Sequence, residues 1–195
     1  MNKRNIMLEW EGPLPFIGIP PKNIFDSDYA NEKGLYLWTI EYHNSFLIYY
    51  IGETKRNFQV RMKEHLKEYL AGIYRVYEPK SFKLGKKELI WHGLWMKGTK
   101  NKTSEFLNRY LELSPKIYDL LKLLRIFIAP LNEEKRILQR IEGALYKKLY
   151  SEAGVIKEFL DSDIRFRLRN DEEERVRVFN KTEFDILGLP GEIDA

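Results

Sequence analysis

Cysteine is absent from the 195 residues. That excludes disulfides, thiolate metal sites and a cysteine nucleophile, and it is compatible with a reducing interior. Long apolar runs are also lacking. The opening MNKRNIMLEWEGPLP has no stretch of signal-peptide length, and no segment approaches a membrane span, so a cytoplasmic location and no membrane partner are expected. No internal repeat and no low-complexity linker interrupts the chain. With 44% hydrophobic and 32% charged residues it has the composition of an ordinary globular protein. One domain with peripheral additions follows: an arm over 1–33, a domain over 34–151 and an extension over 152–195 packed on it.

Charge is small in total and uneven in distribution. The net value is +4, but Lys55 to Lys102 holds 13 Lys/Arg against 4 Glu, a local +9. From Ser151 to Ala195 the count is 7 basic against 12 acidic, or −5. The basic middle is interleaved with Tyr69, Tyr74, Tyr77, Phe82, Trp91 and Trp95. Cations neutralise phosphates and aromatic rings stack on bases, so this stretch suits a polyanion. A well-solvated lysine surface is the plainer reading.

The first 33 residues, rich in Pro, Asn and Asp, read as an irregular arm. LYLWTIEY and FLIYYIGET, separated by His43-Asn44-Ser45, read as a hairpin that brings Tyr36 and Tyr50 roughly opposite each other. Asn57 caps a helix over 58–71, whose expected buried stripe is Phe58, Met62, Leu66, Tyr69, Leu70 and Ile73. Arg61 and His65, four residues apart, share a neighbouring face. Pro79, Gly85, Gly93 and Gly98 break the pattern over 75–103, which reads as a basic insertion. A third strand starts at Arg125, and a helix to Tyr150 buries Ile137, Leu138, Ile141, Leu145 and Leu149, with Glu142 at the edge of that arc. In the tail, IRFRLR and RVRVF suggest a second hairpin, with Arg165, Arg167 and Arg169 sharing a face of its first strand and Arg175 and Arg177 a face of its second.

Taken singly, each polar residue of the hairpin and first helix has an ordinary structural explanation. Their order is more specific. Gly34-Leu35-Tyr36, then Tyr50-Ile51-Gly52, then Arg61 with His65, then Glu142 on a late helix resembles the GIY-YIG nuclease superfamily across roughly Gly34 to Ser151. Gly72-Ile73-Tyr74 also spells GIY, but it follows the YIG element and reads as a helix terminus. The resemblance implies a small α/β fold, with a three-stranded mixed or antiparallel sheet flanked by helices. It implies phosphodiester cleavage with one divalent metal, Mg²⁺ or Mn²⁺. By the same pattern Tyr36 and Tyr50 line the site, Arg61 contacts the scissile phosphate, His65 lies beside Tyr36, and Glu142 holds the metal.

The residue types suit that chemistry. A free tyrosine has a pKa near ~10, so a tyrosine base needs neighbouring positive charge, which Arg61 and His65 are expected to supply. A guanidinium fork matches phosphate oxygens, and a carboxylate is the hard ligand Mg²⁺ prefers. Many family members carry an asparagine shortly after the glutamate; here none occurs until Asn170, the candidate accessory residue. Lys55, Arg56, Lys63, Lys86 and Lys87 are the expected nucleic-acid contacts. The reading is therefore a metal-dependent endonuclease acting on double-stranded or branched DNA, in restriction or repair. The alternatives are a catalytically silent nucleic-acid-binding module on the same scaffold, and an interaction protein with an acidic partner.

Overall fold

The computed structural model describes residues 4–17, 23–94, 102–161 and 167–195. In chain order the elements are β1 (Arg4–Pro15), β2 (Gly34–Tyr42), β3 (Ser45–Thr54), α1 (Phe58–Leu70), β4 (Val76–Tyr77), α2 (Pro79–Lys83) and β5 (Leu89–Trp91). There follow α3 (Lys102–Asn108), α4 (Tyr110–Leu123), β6 (Leu124–Pro130), α5 (Lys135–Tyr150), α6 (Val155–Phe159), β7 (Val176–Thr182), β8 (Ile186–Leu187) and β9 (Glu192–Asp194). Strands β4 and β5 pair with each other. The rest form one curled, mixed sheet of seven strands in the order β8-β3-β2-β6-β1-β7-β9.

The expected small three-stranded sheet is thus only the middle of a larger one. The hairpin β2–β3 and the strand β6 are neighbours, with β2 antiparallel to both, but four further strands flank them. The first of these, β1, occupies the stretch read as an irregular arm. Ile6, Leu8 and Trp10 are buried and alternate with exposed Met7 and Glu9, the period of a half-buried strand. The prolines of that stretch lie from Pro13 onward, so its average composition concealed a well-patterned beginning.

The expected tail hairpin is absent from the described residues. Arg165 lies outside them, and residues 167–169 carry no strand structure. Residues 176–182 pair instead with β1, in parallel, and with β9. The cause is apolar: Val176 and Val178 join Ile6 and Leu8 in one buried cluster. An exposed arginine ladder, at about 0.2–1 kcal/mol per cross-strand pair, offers far less.

Both faces of the sheet are covered. On one, Tyr36, Trp38 and Ile40 pack against Phe58 and Met62 of α1 and Ile117 and Leu121 of α4. The basic insertion adds Val76, Tyr77, Phe82 and Trp91 to the same cluster, so it is part of the core as well as a charged surface. On the other face Leu35, Leu37, Ile48 and Ile51 meet Leu138, Ile141, Leu145 and Leu149 of α5. No helix among the described residues is long and apolar enough to cross a membrane.

If β1 is an integral strand, Leu8→Ala destabilises the protein by about 2–5 kcal/mol in urea unfolding, as emptied core positions do. Met7→Ala, at a position 54% exposed, stays within about 0.5 kcal/mol.

Candidate active site

An extra residue in β3 sets the geometry. Trp38 faces Tyr50 and Thr39 faces Ile48, which leaves Tyr49 without a counterpart in β2. A bulge of this kind re-aims side chains. Tyr49 and Tyr50, although consecutive, both pack on the side of Tyr36 and Trp38, while Ile48 and Ile51 face the other cluster. Tyr36 faces Gly52, not Tyr50. The expected directly opposed tyrosine pair is therefore diagonal, with ring centroids 6.1 Å apart. Gly52 is fixed by the ring it faces, because a Cβ there would lie 2.2 Å from Tyr36 Cζ.

Helix α1 presents the next two groups. Asn57 Oδ1 accepts a hydrogen bond from Val60 N–H and starts the helix. The buried positions are Phe58, Met62, His65 and Tyr69, so the inward stripe runs through His65, where Leu66 and Leu70 had been expected. Tyr36 has no exposed surface and His65 is 2% exposed. The Tyr36 hydroxyl lies 2.8 Å from His65 Nε2, and Arg61 Nε donates to the Tyr36 oxygen at 3.3 Å. His65 Nδ1 lies 2.8 Å from the Tyr74 hydroxyl, which is under the influence of the nearby Glu68 carboxylate.

The ends of this chain fix its proton positions. A guanidinium only donates and a carboxylate only accepts. Arg61 therefore donates to Tyr36, Tyr36 to His65 Nε2 and His65 Nδ1–H to Tyr74, with the Tyr74 proton directed toward Glu68. Tyr74 is the group that sequence reasoning missed. It belongs to the later GIY triplet, where Gly72 (φ +68°) follows the last residues of α1. The amides of Gly72 and Ile73 return to the carbonyls of Tyr69 and Glu68, the pairing of a Schellman terminus. That reversal carries Tyr74 back along α1 to His65.

Burial dominates the acid–base behaviour. Tyr36 is pushed well above the usual phenol range, first by burial and then by Tyr50, with Arg61 opposing. Tyr50 is raised to about 12, again by burial and then by Glu142. His65 is held well below its usual value by burial and by Arg61, so it is neutral. The expectation that Arg61 and His65 together lower a tyrosine pKa fails for that reason: a neutral imidazole has no charge to offer, and one guanidinium does not outweigh desolvation.

Glu142 arrives from the opposite layer. Tyr146, one turn further along α5, accepts a hydrogen bond from Ile51 N–H at 2.8 Å and donates to Ile51 C=O at 2.9 Å. The Glu142 carboxylate lies near the Glu53 amide. Four helical residues rise about 6 Å and two strand residues about 6.6 Å, so the two contacts match in spacing. Half-buried Glu142 is raised to about 8, by burial first and by the Glu53 carboxylate second, against Arg61 and Arg167.

Arg167 reaches this region because the chain lies against α5 at Gly143, where a Cβ would come within 2.8 Å of Arg167 O. Arg167 also donates to Gln139. The candidate accessory residue Asn170 is used elsewhere: its Oδ1 accepts from Glu173 N–H, closing a local turn in the tail. Of the expected phosphate contacts, Lys55 donates to Glu133 O and Lys87 to Leu160 O. Arg56 forms a two-pronged pair with Glu64, which also binds Arg61. Lys63 and Lys86 are exposed and have no partner among the described residues.

Glu142 and Glu53 offer two carboxylates where a cation would relieve the desolvation and mutual repulsion. No group of three or more His, Cys, Asp or Glu forms among the described residues. A sparse oxygen set is compatible with Mg²⁺, which keeps most of its waters. Comparison with protein-family models, with curated proteins and with solved structures gives no match.

Glu142 generates a pH prediction. Its folded pKa near 8 exceeds the ordinary carboxyl value of 4.5. Between those values the folded state holds a proton that the unfolded state has lost, so this group's contribution declines as pH rises from 4.5 to 8. In metal-free buffer Glu142→Gln, which removes the charge, gains stability relative to wild type across that window and levels off above it. The gain is a few kcal/mol, or roughly 5–10 °C in Tm. A difference in Tm that does not change between pH 5 and 8.5 contradicts the assignment.

Proposed function

We propose that the protein is a metal-dependent endonuclease of the GIY-YIG type, hydrolysing phosphodiester bonds of double-stranded or branched DNA in the cytoplasm. One observation carries the reading: the Tyr36 hydroxyl is held between Arg61 and neutral His65, with Tyr50 on the same side of the sheet and Glu142, from the opposite layer, both acting on it electrostatically. This is a phosphate-binding cation, a proton acceptor and a hard anionic ligand around one phenol.

Tyr36 is protonated at rest, so the proton transfer has to be concerted. As water attacks phosphorus, its proton passes to the Tyr36 oxygen while the Tyr36 proton moves to His65 Nε2. The imidazolium formed keeps its Nδ1–H bond to Tyr74, whose own proton is directed at Glu68. Arg61 binds the non-bridging oxygens, and its departure from Tyr36 toward the phosphate uncovers the hydroxyl that it covers in the free protein. Glu142, with Glu53 beside it, would hold Mg²⁺ or Mn²⁺, which would supply charge stabilisation for the leaving 3′ oxygen. Lys63 and Lys86, with Arg56 once freed from Glu64, are the candidate backbone contacts.

The second reading, a silent binding module, draws on the full burial of Tyr36 and the local use of Asn170. Plasmid and branched-DNA cleavage distinguishes the two. Wild type cuts with Mg²⁺ or Mn²⁺ and stops in EDTA; Tyr36→Phe slows the single-turnover rate by about 10²–10⁴, and Arg61→Ala by about 10² or more. Binding with no cleavage of any substrate under these conditions establishes the silent module, and wild-type cutting by Tyr36→Phe rules out the proposed base.

A further inference from the structure

Helix α5 has a second polar face. Arg140, Ala144, Lys147, Lys148 and Ser151 follow one stripe along it, with Arg140 about 200° round the helix from Glu142. With Leu168, Arg169 and Arg175 from the tail and Ile193 and Asp194 of β9, that stripe lines a cavity of about 530 Å³. Among the described lining residues five side chains are cationic and one is acidic, and Asp194 is drawn toward Arg177 at 3.5 Å.

Arg140 is the unusual member. It is 3% exposed, and its guanidinium donates to Glu174 O and Ala195 O. Its Nε has no hydrogen-bond partner among the described residues. A buried N–H without an acceptor is costly. Lys147 is exposed on the same stripe, and neither it nor Arg175 forms an ion pair among the described residues. Lys148 and Arg169 are only partly engaged, by Glu152 and Asp171.

We propose that this cavity is an anion site for the phosphate groups of a nucleotide-sized ligand, separate from the Tyr36 centre. Its size suits such a ligand. Forked guanidinium groups and lysines match phosphate oxygens, while Leu168, Ile193 and Ala144 provide an apolar wall. The phosphate has two possible sources, a free nucleotide or the phosphorylated end of a nucleic-acid strand. The site does not depend on the nuclease reading.

Thermal unfolding and titration calorimetry of the whole chain in EDTA test it, with ionic strength matched throughout. Tripolyphosphate and ATP raise Tm by at least about 5 °C at a hundredfold excess over Kd, and adenosine does not. The double substitution Lys147→Glu with Arg175→Glu, at positions outside the Tyr36 centre, weakens ATP binding at least tenfold. Lys63→Glu with Lys86→Glu, on the proposed DNA surface, leaves ATP binding unchanged. Tighter binding of ATP than of a 5′-phosphorylated oligonucleotide identifies a free nucleotide as the source; the reverse order, with the unphosphorylated oligonucleotide weak, identifies the strand end. Either order supports the site. Lack of binding by all phosphate probes overturns it, as does binding that survives the Lys147/Arg175 double substitution.

Discussion

The edge of β3 is held by one phenol from across the layer. Beyond Leu47 its outer side is no longer paired with β8, because β8 meets only Phe46 and Leu47. Unpaired strand groups need partners. Tyr146 satisfies both backbone groups of Ile51, and Asp161 N–H reaches Tyr49 O at 2.8 Å. The segment from Tyr49 to Glu53 contains the bulge, both of its tyrosines and the glycine under Tyr36. Were this edge to fray, the packing around Tyr36 and the distance to Glu142 would be lost together.

Low dielectric is the other governing influence. It makes Tyr36 a reluctant acid and Glu142 a reluctant anion, and it leaves His65 uncharged. In water the same residues would have ordinary pKa values and weak mutual preferences. Here neutrality is what lets Nε2 accept a hydrogen bond from Tyr36 while Nδ1 donates to Tyr74. An imidazolium would donate from both nitrogens and oppose the Tyr36 proton. Burial thus leaves His65 one proton to place, and the Glu68 end of the chain puts it on Nδ1.

Much of the middle of the fold is legible in the sequence. The hairpin, α1, β6 and the buried arc of α5 all announce themselves through apolar periodicity. The outer strands are harder to read. The alternation of Ile6, Leu8 and Trp10 is present, but its partners are Val176 and Val178, far along the chain, and neither end alone shows that the other completes it. The site residues depend on similar distant facts. Tyr49 becoming the unpaired residue decides where Tyr50 points, and nothing in FLIYYIGET states the register. His65 displaces Leu66 from the buried stripe because Tyr36 and Tyr74 satisfy both of its nitrogens. Tyr74 itself was obscured by a correct inference, since Gly72 does end the helix, and the reversal it creates is what returns Tyr74 to the centre.

The parallel ladder between residues 4–10 and 176–182 gives the molecule a temporal order. A chain emerging from the ribosome can form β2, β3, α1 and β6 from neighbouring segments as they appear. Through that time β1 has β6 available only over its second half, from Glu11 to Pro15. Ile6, Leu8 and Trp10 therefore wait, apolar and unzipped, until residues 176–182 have been made. The strand β7 closes over β1, so the sheet is sealed at its seam by two segments far apart in the chain, and such non-local pairing is the slow step expected of this topology.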